Sequence, residues 1–406
     1  MPTDHALLAP SAAKRWLTCT PSARVEALLP ERVTPYAEEG TMAHAVAESL
    51  LKFYDNAGVI AVFDDPWDQV ATFFNADRDL NTIQSICEDK GFDFQEIFET
   101  AHDRYVKLVW EDFVKARAEY PDAVLLIEQR VDLNDFVPDS FGSSDAIIIA
   151  GKTLHVYDLK YGRGVRVSAM NNPQMMLYAL GALVGPGETY PIDRVEMAII
   201  QPRLNAYSRF ELSTAALAEW AAKTLAPAAR LAYQGLGDYV PGQHCEFCRA
   251  KATCKALAEY CSRVTTVFKE TDGLLPDEIA KALPAVAVVE MWASAVKARA
   301  MEMLSEGQAV PGWKLVEGRA TQKILREGQA REILRQAGFG PEEYDKVELR
   351  GITDLTKLVG GAKNFNALLG ELVERTPGKP ALAPESDPRP AYSPAVSAED
   401  SFGSML

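Results

Sequence analysis

The residues best suited to chemistry are two aspartates and a lysine in a β-rich segment, Asp145, Asp158 and Lys160. Two apolar runs flank Gly151-Lys152, and a two-residue loop that begins with glycine is typical of a β-hairpin. Counting back along both strands from this loop brings Asp145 opposite Asp158, with Cβ atoms about 4.5–5.5 Å apart. Lys160 follows Asp158 by two residues and therefore projects from the same face of its strand.

Two carboxylates at this separation repel each other unless one is protonated or a cation lies between them. A hard divalent ion with oxygen ligands, Mg²⁺ or Mn²⁺, resolves the repulsion. Such an ion polarises a phosphoryl oxygen and lowers the pKa of a bound water, which the neighbouring ammonium of Lys160 can position for attack. The alternative is a solvated hairpin end that carries a Lys–Asp surface pair.

The sequence NNPQMMLY begins a helix shortly after the hairpin. Asn172 can cap this helix, and Pro173 fits its first turn. Gln174 and Tyr178 are then four residues apart and share one helix face. Either could be an ordinary packed polar residue, but the order acid, acid, lysine, glutamine, tyrosine predicts one site.

Together, GSSD at 142–145, YDLK at 157–160 and QMMLY at 174–178 resemble the core of the PD-(D/E)XK nucleases in their RecB-like branch. The resemblance implies that Asp145 and Asp158 bind Mg²⁺ or Mn²⁺, and that Lys160 positions or activates the attacking water. It also implies that Gln174 and Tyr178 lie beside the site and help to hold the core and DNA.

The same branch carries an upstream histidine in a helix, which here corresponds to His44 within GTMAHAVAE. Thr41 is the predicted N-cap of that helix. The resemblance implies that His44 is a metal ligand, whereas a lone helical histidine is otherwise a structural residue. Glu128, in the strand before the hairpin, could approach the metal, or it could be an edge-facing strand carboxylate.

Six cysteines are too few for a disulfide scaffold, and three of them are closely spaced. Cys245-x2-Cys248-x5-Cys254 has the spacing of a metal site. A closed site needs a fourth ligand, for which the candidates are Cys19, Cys87, Cys261 and His244. Spacing alone is compatible with an iron–sulfur cluster or with Zn²⁺.

This spacing resembles the iron–sulfur nucleases of the same branch, which include the AddB-type helicase–nuclease domains and the CRISPR-associated RecB-like exonucleases. In those proteins an N-terminal cysteine joins the later three to hold a [4Fe–4S] cluster. The segment SAAKRWLTCTPSARVEA matches the setting of that first cysteine, so the resemblance makes Cys19 the fourth ligand. The cluster would then be structural, because it closes a very long loop and constrains the unfolded chain.

The net charge of −15 argues against a protein that coats DNA independently of sequence, although a cleft can still be basic. Basic residues follow the hairpin and the later strand: Lys152, Arg163, Arg166 and Arg203. They predict a phosphate-contacting groove. The alternative is a scatter of solvated side chains, and no base-reading motif is present.

The elements that would position these residues indicate an α/β chain. Strand-like runs lie at 124–133, 145–150, 153–160 and 195–203, and helical sequence lies at 11–54, 101–120, 173–184 and 213–235. The fold class expected is a PD-(D/E)XK-like core, a small mixed sheet flanked by helices, with a helical C-terminal extension. The predicted domains are a nuclease domain over 1–265 with an acidic insertion at 55–100, a mainly helical extension over 266–375, and a disordered Pro-rich tail over 376–406.

No apolar run approaches the length of a membrane span and no basic leader precedes one, so a cytoplasmic protein is expected. The function expected is a metal-dependent DNA nuclease, an exonuclease, with DNA as its partner. RWLTCTPSAR, GTMAH and DLKYGRGV are also similar to a phage- and prophage-encoded family of this superfamily. That likeness implies a role in phage recombination, repair or replication in the bacterial cytoplasm, with a protein partner recruited through the C-terminal tail. The alternatives are a non-catalytic nucleic-acid-binding protein, or a nuclease for RNA or branched DNA.

Overall fold

The computed structural model describes residues 6–30, 34–56, 58, 78–266, 276–314, 361 and 363. The chain divides into two units, Met1–Leu315 and Val316–Leu406. All helices and strands given below belong to the first unit. The predicted tail over 376–406, most of the predicted extension beyond 314, and residues 59–77 of the predicted insertion lie outside the described residues.

A five-stranded mixed sheet forms the centre of the first unit. Its strands follow the chain order across the sheet: β1 (Val124–Asp132), β2 (Phe141–Ala150), β3 (Thr153–Leu159), β4 (Arg194–Gln201) and β5 (Ala206–Ser213). Neighbouring strands are antiparallel except β3 and β4, which are parallel. A parallel pair needs a crossover, and the helix of residues 173–184 lies within it. The predicted small mixed sheet is therefore confirmed.

Helices flank the sheet, and their bounds are α1 (Ala13–Thr18), α2 (Ser22–Ala27), α3 (Pro35–Asn56), α4 (Arg78–Lys90), α5 (Phe94–Ala101), α6 (Lys107–Glu119), α7 (Pro173–Val184), α8 (Thr214–Trp220), α9 (Ala226–Gln234), α10 (Lys255–Thr266) and α11 (Pro276–Ser305). Two π-helical turns, His102–Val106 and Ala221–Leu225, join α5 to α6 and α8 to α9. Short 3₁₀ turns occupy Pro10–Ala12, Pro202–Leu204 and Gln243–Phe247.

The two faces of β2 belong to two different hydrophobic cores. Ala146 and Ile148 pack with α3, α5 and α6, whereas Ile147 and Ile149 pack with α1 and α7. This alternation follows from the two-residue period of a strand. Both faces of the central strands are apolar because helices cover both of them.

The segment 78–100, the described part of the predicted acidic insertion, packs its apolar residues into the first core. Leu80, Ile97 and Phe98 are almost fully buried there. Burial of this kind stabilises each side chain by about 1.5–3 kcal/mol, so the acidic composition reflects only the outer face of these helices.

A third, smaller core joins α10 and α11 to the cysteine segment. Val288 of α11 is 3% exposed and packs with Leu257, Cys245 and Cys261. By length and composition α11 could also cross a membrane, and only 11% of its apolar window is buried. The sequence shows no uninterrupted apolar run here because Lys281 and other charged residues divide the helix.

Two local expectations were wrong or incomplete. Thr41 does not cap its helix, because α3 begins six residues earlier, at Pro35, and Thr34 accepts the backbone N–H of Ala37 instead. The Thr41 hydroxyl donates to the Ala37 carbonyl within the helix. Strand β5 was not predicted, because its alternation of half-buried and exposed residues is weakly apolar.

Candidate metal and phosphate site

The β2–β3 hairpin has the register that its two-residue loop predicts. Ala150 faces Thr153, and Ala146 faces Tyr157. Continuing by one residue sets Asp145 level with Asp158, and the Asp145 carboxylate accepts the backbone N–H of Leu159 at 2.6 Å. The predicted juxtaposition of the two aspartates is therefore present at the open end of the hairpin.

Glu128 extends these two acids into a row of three across neighbouring strands. Ile127 faces Ala146 and Gln129 faces Ser144, which sets Glu128 level with Asp145. The backbone of Glu128 has a φ of 46°, in the left-handed region that ordinary side chains rarely adopt. Strained backbone of this kind is concentrated at functional sites, which makes Glu128 a member of the candidate site rather than an edge-facing carboxylate.

His44, Glu128 and Asp145 form the candidate ligand group. Each places one ligand atom within 4.8 Å of the other two. The Nδ1 atom of His44 lies 3.2 Å from an Asp145 carboxylate oxygen and 4.0 Å from one of Glu128. One imidazole and two carboxylates suit a divalent cation such as Mn²⁺ or Mg²⁺. His44 reaches this group from α3, which packs on the first-core side of the sheet.

Asp158 lies beside this group and is held by two other side chains. The ammonium of Lys160 lies 2.9–3.0 Å from both carboxylate oxygens. The side-chain amide of Gln174 donates to Asp158 at 3.0 Å and approaches the hydroxyl of Tyr178 at 3.1 Å. Asn172 caps α7 as predicted by accepting the N–H groups of Gln174 and Met175. The helix is thus fixed at the turn that delivers Gln174 to the acid.

The charges of the site perturb one another. Burial alone would lower the pKa of His44, but the adjacent Asp145 carboxylate outweighs it, and the pKa is raised to about 9. Burial and the neighbouring Asp145 raise the pKa of Glu128 to about 7. Burial also raises the pKa of Asp158, and the Lys160 ammonium opposes that shift. At neutral pH the cation-free site therefore holds protons that a divalent cation would displace.

Gly142 of the GSSD segment makes room for the helix that carries Gln174. A Cβ atom at this position would lie 2.8 Å from the ring of Tyr178 and 2.9 Å from Pro10. Ordinary carbon contacts are about 3.5–4.0 Å, so any larger residue would push Tyr178 away. The glycine is explained by this close approach.

Four cysteines line one cavity of about 410 Å³, which Arg15 and Val240 also border. Cys19 immediately follows α1, Cys245 and Cys248 lie in and after a 3₁₀ turn, and Cys254 immediately precedes α10. All four are free thiols. Burial raises the pKa of Cys19 and Cys245, and that of Cys248 to about 11. Thiols of this kind stay protonated near neutrality unless a metal binds them.

The cysteine sulfurs do not come together as a tight ligand set within the described part of the chain. A single Zn²⁺ with Zn–S bonds near 2.3 Å would need sulfurs about 3.8 Å apart. A polynuclear iron–sulfur cluster binds its cysteines at different iron atoms and spaces them farther apart. The described residues therefore show neither a single-ion cysteine site nor a cluster.

The other candidates for a fourth ligand lie elsewhere or are otherwise engaged. His244 donates its Nε2 proton to the Val240 carbonyl at 2.7 Å. Cys87 is buried in the first core, and Cys261 packs in the third. Cys19 and His244 both line the cavity with the later three cysteines, but His244 is engaged by the Val240 carbonyl.

The four predicted phosphate-binding residues fall in different places. Lys152 lies in the β2–β3 loop, at the opposite end of the hairpin from the acids, 3.8 Å from Asp193. Arg163 pairs with Glu96. Arg203 is nearly buried, contacts Glu39 at 2.6 Å, and lies over the ring of Tyr161. These three side chains serve other contacts in this structure.

Arg166 is the member of that set that is exposed without an ion pair among the described residues. Its loop is held by Gln201, a buried side chain that sequence reasoning passed over. The Gln201 amide accepts from Val167 N–H at 2.7 Å and donates to the Val165 carbonyl at 3.0 Å. The guanidinium of Arg166 therefore extends from a fixed backbone.

Fold and site together define an α/β protein with a histidine–carboxylate centre at the edge of its sheet and a separate cavity of cysteines. A family model described as a protein of unknown function (DUF2800) matches residues 5–390. The chain belongs to this family. Both the site and the cysteine cavity lie within the matched residues.

Proposed function

We propose that this chain is a metal-dependent nuclease that hydrolyses phosphodiester bonds. The observation that carries the proposal is the contact between Lys160 and Asp158, at 2.9 Å, directly beside the His44–Glu128–Asp145 group. An ammonium next to a carboxylate metal site is suited to a reaction whose transition state gathers negative charge on phosphoryl oxygens. The resemblance to the PD-(D/E)XK nucleases supports the same assignment.

The side chains of the site have distinct roles in this proposal. The chemistry that a bound divalent cation supplies is polarisation of the phosphoryl oxygen and a lower pKa for a nearby water. Lys160 orients the attacking water toward the phosphorus, in line with the departing sugar oxygen. Asp158 holds the ammonium in place, and Gln174 holds Asp158. The water loses a proton as its oxygen bonds to the phosphorus, the bond to the sugar oxygen breaks, and the sugar oxygen takes up a proton.

The cysteine cavity is proposed to hold a [4Fe–4S] cluster through Cys19, Cys245, Cys248 and Cys254. The cluster would join α1 to the segment before α10, which are far apart in sequence. Polar contacts already bring these segments together, because buried Glu26 contacts Arg15 at 2.5 Å and accepts the N–H of Arg249. The cluster would therefore stabilise an arrangement that the chain itself prepares, and it would have no part in hydrolysis.

The proposed substrate is DNA, degraded from an end, and the proposed setting is phage recombination, repair or replication in the bacterial cytoplasm. The resemblance to RecB-like nucleases supports DNA degraded from an end as the substrate, and the resemblance to the phage-encoded family supports the phage setting. The catalytic residues themselves suit any phosphodiester.

The proposal is tested with Asp145→Asn. Asparagine keeps an oxygen that can accept the Leu159 N–H but removes the charge that a cation needs. We expect this variant to fold normally and to lose Mg²⁺- or Mn²⁺-dependent cleavage of DNA. The matched control is Asp193→Asn, which removes an exposed carboxylate at the other end of the hairpin. Equal cleavage by the two variants would refute the assignment.

A further inference from the structure

A stacked pair of side chains, Arg130 and Phe141, lies on the β1–β2 arm beyond the acidic row. The guanidinium carbon of Arg130 is 3.9 Å from the centre of the Phe141 ring. Arg130 is exposed and makes no ion pair with any residue that the structure describes. Arg163 and Arg203, by contrast, pair with the carboxylates of Glu96 and Glu39.

The left-handed backbone conformation of Glu128 changes the face of the sheet toward which the following β1 residues point. Before it, Leu125 and Ile127 pack into the first core; after it, Val131 packs into the second. The inward-facing positions of β1 therefore change from one face of the sheet to the other. Arg130 consequently faces the side from which α3 brings His44 to the site.

Strand β2 makes the same change of face. Gly142 approaches Tyr178 on the second-core side, so its neighbours Phe141 and Ser143 face the opposite side. The hydroxyl of Ser143 donates to the Glu128 carbonyl at 3.3 Å. Glu128, Ser143, Arg130 and Phe141 thus form a continuous strip that begins at the candidate ligand group.

The spacing along this strip suits a polynucleotide. Arg130 is two residues from Glu128, which places their Cα atoms about 7 Å apart. A phosphate bound by Arg130 would therefore belong to a nucleotide next or nearly next to the one held at the acids. The ring of Phe141 covers one face of the guanidinium and leaves the edge of its planar fork free for phosphate oxygens.

We propose that Arg130, stacked on Phe141, binds a phosphate of the nucleic-acid strand that flanks the bond to be cleaved. This inference rests on the proposed nuclease function and names a contact for its substrate. Arg130 is a binding residue here. Its position on the paired strands β1 and β2 sets the direction in which the nucleic-acid strand leaves the acids.

The test is the affinity of the full chain for a short, labelled single-stranded DNA, measured by fluorescence anisotropy over a range of salt concentrations with Ca²⁺ in place of Mg²⁺. Arg130→Ala should bind roughly three- to tenfold more weakly, and its salt slope should fall by about 0.7, the share of one phosphate contact. Arg130→Lys should recover little, because lysine neither stacks nor forks.

Arg117→Ala is the matched control. Arg117 is also exposed and lies over a phenylalanine, Phe113, at 5.7 Å, but it is in the last turn of α6, which leads into the remote end of β1. The inference alone would be overturned if the wild type binds and cleaves the DNA but Arg130→Ala and Arg117→Ala bind it with the same affinity. A wild-type chain that neither binds nor cleaves the DNA would overturn the proposed function, and the inference with it.

Discussion

Replacing Lys160 by alanine separates the chemical role of this residue from its structural one. The Asp158 side chain is 3% exposed and that of Lys160 is 30% exposed. Removing one partner of a fully buried ion pair costs about 3–5 kcal/mol. Here the expected loss of stability is smaller, about 1–2 kcal/mol, because Gln174 still donates to Asp158 and the acid can take up a proton.

The effect on cleavage should be much larger than the effect on folding. A positioned acid–base or water-orienting group contributes about 10²–10⁴-fold in rate, equivalent to about 3–5.5 kcal/mol in the activation barrier. The stability loss should shrink at acid pH, because burial raises the pKa of Asp158 and a neutral acid needs no counter-charge. Stability is measured by urea unfolding in EDTA, and the rate by single-turnover cleavage.

Lys152→Ala is the control for the Lys160 variant. Its side chain is 68% exposed and its ammonium lies 3.8 Å from Asp193, so both stability and rate should stay near wild type. A folded Lys160→Ala chain that cleaves at the wild-type rate would refute the role assigned to the ammonium.

Three further predictions concern the candidate ligand group, the cysteine cavity and Gly142 of the GSSD segment. Folding raises the pKa of His44 from 6.5 to about 9, so the stability that His44 contributes is complete below pH 6.5 and is lost as the pH rises through about 9. Urea unfolding in EDTA should show this decline in the free energy of unfolding. The variant His44→Gln should show a smaller decline. Anaerobically purified wild type should contain iron and sulfide, and Cys254→Ser should lose them. Gly142→Ala should lower stability by about 1–3 kcal/mol and slow cleavage, because the new methyl displaces Tyr178.

Each of these three has its own control and contradicting result. A His44→Gln curve with the full wild-type decline would assign the titration to another group. Cys87→Ser, which changes a buried cysteine outside the cavity, should retain the metal; a colourless wild type with stoichiometric zinc would contradict the iron assignment. Gly40→Ala, where a methyl meets nothing within 4 Å, should leave cleavage unchanged.

The part of the site that could be predicted from sequence depends on local geometry. The two-residue loop at Gly151-Lys152 fixes the register of the hairpin, and register alone sets Asp145 level with Asp158. The four-residue spacing of Gln174 and Tyr178 fixes their common face on α7 in the same way. These placements need no knowledge of the rest of the fold.

The parts that could not be predicted depend on contacts between distant segments. Glu128 joins the acids because β1 pairs with β2, but residues 133–140 between them are too many for a turn rule to fix the register. Arg163 and Arg203 suggested a phosphate groove, yet Glu96 neutralises the first and Glu39 the second from helices remote in sequence. The role of Arg130 could not be predicted from sequence, because the side of the sheet that it faces depends on the change of face at Glu128.

The most direct test of the central claim is cleavage of end-labelled single- and double-stranded DNA by the anaerobically purified chain. Wild type with Mg²⁺ or Mn²⁺ should degrade the DNA from an end, whereas EDTA or Asp158→Ala should abolish degradation. The order in which products appear would give the polarity. A folded, cluster-loaded chain that cleaves none of these substrates would contradict the nuclease assignment and favour a non-catalytic nucleic-acid-binding protein.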